Sequence, residues 1–360
     1  MIGIQVLDLL ACLRFLLLFD LSISHFSSIC IIIVLIFCRS FSQDNTIMRF
    51  TPILGFAASA LAAQKGFNYG ATFSDGTIKH QADYAAEFNS AKNLVGQSFT
   101  SARLYTMIQG DTNGVIEAIP AAISTGTTLL LGLWASAGSA QFAVEVQTLT
   151  NAINQYGTAF TDLVIGISVG SEDVYRTTDL GIASNAGAGA TPDTLTGYVA
   201  QVRSAIAGTA LASALVGHVD TYNTWTNTTY TAGLATACDF LGMDAYPYYE
   251  TTKANSIDNA NATFWGDYNA VVPIAQGKPI WVTETGWPNQ GATENLAVAN
   301  IANAATYFSE VGCSLFGANI NTWWFTLQDQ QPVVPSSGVV FGVTGPGFPP
   351  PTTPLYPLSC

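Results

Sequence analysis

From Lys65 onward, eight apolar, β-branched runs alternate with longer alanine-rich stretches, and in two of them the apolar residues lead into a glutamate. The pattern predicts an α/β fold, a single (β/α)8 TIM barrel. Parallel strands covered on both faces read as continuous apolar runs, and each needs a helical crossover to reach the next. Length agrees, since the 360 residues exceed the roughly 250 that such a barrel uses. The main competitor is a doubly wound open sheet. It normally carries a glycine-rich phosphate turn after its first strand, and Gly66 to Gly76 contains no G-x-G-x-x-G.

Taken in order, the strand-like runs are Gly66–Thr72, Ser101–Met107, Thr127–Trp134, Leu163–Glu172, Leu215–Tyr222, Phe240–Tyr249, Pro279–Trp287 and Ile320–Leu327. Between them, Lys79–Val95, Val144–Tyr156, Thr194–Ile206 and Thr293–Glu310 repeat Ala, Leu, Val and Phe at helical spacing. The last of these opens on Thr293 and Glu294 and closes near Gly312, which are start and stop signals for a helix. After Phe341 the alternation ends. The expected barrel domain covers residues 64–344, and residues 345–360 form a Pro-rich tail that cannot continue a helix or a ladder.

The N-terminal region divides in two. Residues 48–63 read as a secretory signal: Met48-Arg49, an apolar stretch, and Ala60-Leu61-Ala62 before cleavage near Ala62 or Ala63. Residues 1–47 hold two apolar patches, Leu9 to Phe19 and Ile29 to Phe37, neither reaching the ~18 apolar residues of a spanning helix. Two readings stay open for 1–47, an upstream stretch foreign to the native product or a signal-anchor. Peptide mapping that finds a start near Gln64 selects the first. The expectation is a secreted, extracellular, wall-associated monomer with no stable membrane anchor after processing; no apolar C-terminal signal for a lipid anchor is visible.

A net charge of −13 and a pI near 4.3 argue against nucleic acid or anionic membrane as partner. Charged residues make up only 10% of the chain, which suits neutral ligands such as sugars. With three His and no Cys or His cluster at ligand spacing, no metal and no cofactor are expected. Beyond residue 63 the cysteines are Cys238, Cys313 and Cys360. Cys238 and Cys313 both precede predicted strands, so they are the expected disulfide, leaving Cys360 over. The sequons at Asn227 and Asn261 are expected to carry glycans on surface loops.

The chemistry rests on the two glutamates. In the barrel reading Glu172 ends the fourth strand and Glu284 the seventh. A carboxylate at the C-terminal end of a barrel strand points into the mouth where such barrels do their chemistry, and positions four and seven lie nearly opposite. Cleaving a glycosidic bond requires such a pair, one proton donor and one nucleophile or base. A spacing of ~5–5.5 Å implies a covalent retaining route and ~6.5–9.5 Å an inverting one. Tyr246, just past the middle of the sixth run, is within expected reach of the nucleophile. Asp173 reads as a helix-start acid, and Arg176 as a structural ion pair or a residue that positions a loop. Arg103, Asp220 and Asp244 could support the site or bind sugar. Tyr105, Trp134, Tyr175, Tyr222, Tyr246, Trp287 and Trp323 sit near strand ends, as stacking platforms for pyranose rings or as barrel core. Trp287, close behind Glu284, is the best placed of them.

Gly166-Ile-Ser-Val-Gly-Ser-Glu172-Asp-Val-Tyr-Arg176 and Trp281-Val-Thr-Glu284-Thr-Gly-Trp-Pro288 resemble the two signature segments of glycoside hydrolase family 17. The likeness is greatest to its fungal cell-wall β-1,3-glucanases and glucanosyltransferases. It runs from about Gly66 to Asp329 and includes Arg103-Leu-Tyr105, Gly217-His-Val-Asp220 and Asp244-Ala-Tyr-Pro-Tyr248. The resemblance implies a retaining endo-β-1,3-glucanase acting on wall β-1,3-glucan, with Glu172 as acid/base and Glu284 as nucleophile. Transglycosylation by the same first step, or glucan binding without turnover, are the alternatives. Two departures stand out. Many members have Asn before the acid/base, where this chain has Ser171. Many also carry an acidic Asp-Glu-Pro-Trp segment after strand eight, where Phe325-Thr-Leu-Gln-Asp329-Gln330 keeps a single acid.

Overall fold

A computed structural model describes residues 62–329 and 338–360; the expectations for residues 1–47 and for all but the last two residues of the signal lie outside them. The strands in chain order are β1 (Lys65–Tyr69), β2 (Ser101–Leu104), β3 (Thr128–Leu133), β4 (Val164–Val169), β5 (Val216–Thr221), β6 (Leu241–Asp244), β7 (Ile280–Glu284), β8 (Thr293–Glu294), β9 (Ala297–Val298) and β10 (Thr322–Trp324). β1 to β7 and β10 pair in parallel as a closed eight-stranded barrel. Closure comes from β1 against β10, in register Lys65↔Thr322, Gly66↔Trp323 and Phe67↔Trp324. The (β/α)8 expectation therefore holds, and each predicted run overlaps one barrel strand.

Seven principal helices follow the first seven barrel strands: α1 (Gln81–Lys92), α2 (Ala118–Thr125), α3 (Ser139–Tyr156), α4 (Pro192–Ile206), α5 (Thr228–Ala237), α6 (Ile257–Ala275) and α7 (Ile301–Tyr307). Local sequence sets their starts. α4 begins at Pro192 behind Thr191, whose hydroxyl accepts from Thr194 N at 3.3 Å. α7 begins behind Asn300, whose side chain accepts from Asn303 N at 2.8 Å, and runs through a π turn at Phe308–Gly312 into Cys313–Gly317. This start corrects the expectation of a helix from Thr293. Asn295 takes a left-handed backbone, φ 54°, and turns the chain into the β8–β9 hairpin. The Asn255 side chain then ties that hairpin down, donating to Glu294 O and accepting from Leu296 N.

Two cores result. Leu129, Leu131 and Leu133 of β3 belong to the layer between barrel and helices, while Leu130 belongs to a plug with Phe240, Trp281 and Trp323. Phe240 stacks on Trp281 at 3.9 Å. The plug requires glycine at 166, because a Cβ there would lie 2.7 Å from the Trp281 ring. Aromatic bulk thus fills the barrel floor and leaves the strand C-termini as the usable end.

After β10 the described residues form no eighth helix, and the tail takes that place between α7 and the turn after α1. Val95 N donates to Thr352 O at 2.9 Å, Phe348 meets Phe73 edge-on at 5.2 Å, and Tyr356 and Leu358 are buried. Cys360 forms a disulfide with Cys313, Cα–Cα 5.3 Å. The expected Cys238–Cys313 pair is therefore wrong. Cys238 is a free thiol, 2% exposed, enclosed in the core at the end of α5. Cys313 lies where the tail arrives. The sequon at Asn261 also departs from expectation, since it lies within α6 rather than on a loop, whereas Asn227 is exposed between two helices.

Candidate active site

Glu284 is the last residue of β7 and 8% exposed. Its Oε1 accepts from Arg103 Nη1 and from the Tyr105 hydroxyl, both at 2.6 Å, and its Oε2 accepts from the Tyr246 hydroxyl at 2.8 Å. All of these are donors, and one is a guanidinium, so the carboxylate is fixed as an acceptor. Both tyrosines are pushed well above the ordinary phenol value, first by burial and then by the negative charge of Glu284, and they stay neutral donors. Arg103 is buried. Burial opposes its charge, but Tyr105, Asp244 and Glu284 around it hold its proton more tightly than usual. Arg103 also donates to Asn68 Oδ1 and Ser171 Oγ, each at 2.8 Å, and to Thr283 O at 3.4 Å.

Glu172 faces this group from the loop after β4. Its backbone is left-handed, φ 56°, a conformation that a non-glycine residue adopts only when its surroundings impose it. Those surroundings are explicit. Glu172 N donates to Val219 O at 2.8 Å. Asp173 accepts from Ser171 N at 2.7 Å and from the Ser136 hydroxyl. Position 170 must be glycine, because with φ 77° a Cβ would lie 1.9 Å from Asp173 Oδ2. Arg176 closes the loop, donating to Ser171 O and Ala186 O and lying 5.0 Å from the Trp134 ring centre. Asp173 and Arg176 are thus loop anchors.

The Glu172 side chain opens partly into the cleft, yet enough protein surrounds it that burial is the main cause of a carboxyl pushed up to about 8. The charges of Glu284 and Asp220 add to that effect, against Arg176 and Arg103. It therefore keeps its proton at neutral pH. Asp244 lies beside the pair, buried, and Thr283 Oγ1 donates to its Oδ1 at 2.6 Å. Burial and then the Glu284 charge raise it well above the carboxylate range. Oxygens of Glu172, Asp244 and Glu284 lie within 4.8 Å of one another. Among the described residues they are the carboxyl group of three that could share a cation, and Arg103 already supplies a positive charge there.

The structure thus brings Arg103, Tyr105, Ser171, Asp244 and Tyr246 to the two glutamates. Asp220 lies beneath the loop that carries Glu172, accepting from Val174 N and Tyr175 N. Tyr222 stands farther along the wall, donating to Glu250 Oε2 at 2.8 Å. Trp287 does not offer a ring face: it is 1% exposed, packs on Tyr248 and Tyr307, and donates to Val298 O. Trp323 belongs to the barrel plug. The sequence reading missed Tyr249, which is 48% exposed and 6.1 Å from the Tyr246 ring. Its place one residue beyond the Asp244–Tyr248 segment was the available signal. A cavity of about 320 Å³ opens beside Tyr105, lined by Phe73, Lys79, Phe325 and Gln328. A hollow of about 370 Å³ at the opposite barrel end, lined by Tyr268, Lys278 and Asn319, contains no carboxylate.

Residues 66–340 match the model of the BtgE/BtgC glycoside hydrolase domain. The chain is 55% identical over 318 residues to an Aspergillus fumigatus protein named probable glucan endo-1,3-beta-glucosidase eglC, covering 87% of this chain and 70% of that one. It is 28% identical over 306 residues to the glucan 1,3-beta-glucosidase of Saccharomyces cerevisiae, covering 79% and 90%. Its fold is similar to the crystal structure of the family 17 β-1,3-glucanosyltransferase from Rhizomucor miehei, with a TM-score of 0.63, 27% identity and coverage of 78% and 93%. The chain belongs to the BtgE/BtgC glycoside hydrolase family, and its structural kinship is with glycoside hydrolase family 17.

Proposed function

We propose that this protein is a secreted cell-wall enzyme that cleaves β-1,3-glucan internally and with retention, using Glu172 as acid/base and Glu284 as nucleophile. One observation carries the reading: an acceptor-only Glu284, held on both oxygens, faces a Glu172 that keeps its proton, with their oxygens within 4.8 Å. That approach favours the short carboxyl spacing of the covalent route, ~5–5.5 Å, over the wider spacing that admits a water. The name carried by the Aspergillus relative supports the substrate and the endo action.

In this reading Glu172 protonates the departing glycosidic oxygen while Glu284 attacks the anomeric carbon and forms a glycosyl ester. Esterification removes the Glu284 charge, which is one of the causes holding the Glu172 proton. Glu172 can then accept a proton from water as the ester is hydrolysed. With Ser171 Oγ already accepting from Arg103, its hydroxyl proton remains for a sugar oxygen.

A defined β-1,3-oligosaccharide, incubated with the purified protein, tests this through product size and anomeric configuration. Shorter products released first as the β-anomer are expected. Release as the α-anomer would end the two-step reading. Longer products would assign the transfer activity named for the Rhizomucor neighbour, and retention of unchanged sugar would assign binding alone.

A further inference from the structure

Beneath the acid loop lies a buried histidine that the mechanism above does not use. His218, on β5, is 0% exposed. Its Nδ1 lies 2.6 Å from Val169 O, and its Nε2 lies 2.9 Å from Asp220 Oδ2. A carbonyl oxygen only accepts, so Nδ1 carries a proton. Asp220 in turn receives Val174 N on Oδ2 at 3.0 Å, and Tyr175 N at 3.3 Å and Thr221 N at 2.9 Å on Oδ1. Oδ2 already accepts from a backbone N–H, so it faces Nε2 as an acceptor. Nε2 therefore donates as well, and the ring bears a positive charge.

The bonds also form a mechanical brace. Val169 is the residue before the loop, and Val174 and Tyr175 lie two and three residues after Glu172. The imidazole and Asp220 join the two feet of an arch whose top is the left-handed Glu172. We propose that His218 is a doubly protonated positioning residue which, through Asp220, holds this arch and so the Glu172 carboxyl in its working place. The inference rests on the reading of Glu172 as proton donor.

The groups facing the ring agree with its charge. Asp220 lies on its own strand and Asp173 on the acid loop, while the edge of Trp225 meets it at 5.6 Å. Cys238 approaches the His218 backbone, and burial pushes that thiol up to about 12, so it stays neutral. Burial works against the imidazolium, but the bond to Asp220, the charges of Asp220 and Asp173, and the Val169 carbonyl together hold its proton above the ordinary value.

Two measurements test the proposal. The chain has three histidines, His25, His80 and His218, so ¹⁵N-histidine labelling gives few signals, and His218→Gln assigns the one of interest. Both ring nitrogens of His218 are expected to be protonated at pH 7.5; a neutral tautomer there would overturn the proposal whether or not the variant folds. His218→Gln should lower kcat on β-1,3-oligosaccharide between about tenfold and a hundredfold while KM changes less than about twofold. Its alkaline limb should also move upward, because an unbalanced Asp220 charge strengthens the hold on the Glu172 proton. Unchanged kcat, or a fall with the limb unmoved, counts against the proposal. Glu172→Gln run in parallel separates the two readings. An inactive Glu172→Gln beside an unaffected His218→Gln ends only the histidine proposal, whereas a fully active Glu172→Gln ends the acid assignment itself.

Discussion

Glu284 and Glu172 meet across the same mouth, but the protein holds them by opposite means. Glu284 sits on a strand and is gripped at its carboxylate by Arg103, Tyr105 and Tyr246. Glu172 sits on a loop. Among the described residues none hydrogen-bonds its carboxyl, and control is exerted on its backbone through Val219, Asp173, Asp220 and Gly170. The difference follows from the tasks proposed for them. A nucleophile benefits from a fixed direction and a permanent charge. An acid/base must gain and lose a proton, so the protein fixes its place and leaves its oxygens free.

The sharpest way to break the comparison is to neutralise each carboxylate in turn. Glu284→Gln should lose at least about 10³-fold in turnover on every substrate, because its attack is needed whatever departs. Glu172→Gln should lose about 10²–10⁴-fold on glucan but far less on an aryl glucoside whose leaving group needs no proton. Equal losses on both substrates would show that the two positions are not specialised. Wild-type activity should fall as pH rises through about 8, because Glu172 then gives up its proton, and the glutamine variant should lack that limb.

A smaller effect probes the grip on Glu284 alone. Tyr246→Phe removes one donor at 2.8 Å. Hydrogen bonds to charged groups contribute about 1.5–3 kcal/mol, so kcat should fall about ten- to a hundredfold with little change in melting temperature. Unchanged turnover would show that Arg103 and Tyr105 suffice.

The least effect on catalysis is expected far from the mouth. Cys360→Ser opens a link between residues 47 positions apart and should lower stability by up to about 4 kcal/mol. Turnover at 25 °C should be nearly unchanged, as thermal unfolding followed beside kcat would reveal. A matching loss of turnover would mean that the tail supports the site directly.

The eight strands were legible because buried parallel strands read as apolar runs in any context. The two glutamates were legible for the same reason, standing at the ends of such runs in recognisable segments. What escaped was non-local. Nothing near Trp287 reveals that Tyr248 and Tyr307 will close over it. The cystine depended on the route of the tail, which no spacing encodes. The β8–β9 hairpin escaped because apolar Leu296 and Val298 beside the α7 sequence imitate helical periodicity, while the turn depends on Asn295. Similarly, the brace at His218 exists only once β5 lies beneath the β4 loop.

The tail that replaces an eighth helix also orders events in time. The seam of the barrel joins β1, made early in synthesis, to β10, made late. The segment that covers the seam is made later still. A chain made only as far as β7 therefore cannot close its barrel, and the outer surfaces of β1 and β10 stay open until the tail arrives. The bond between Cys313 and Cys360 then fastens the arriving tail to the end of α7 in covalent form.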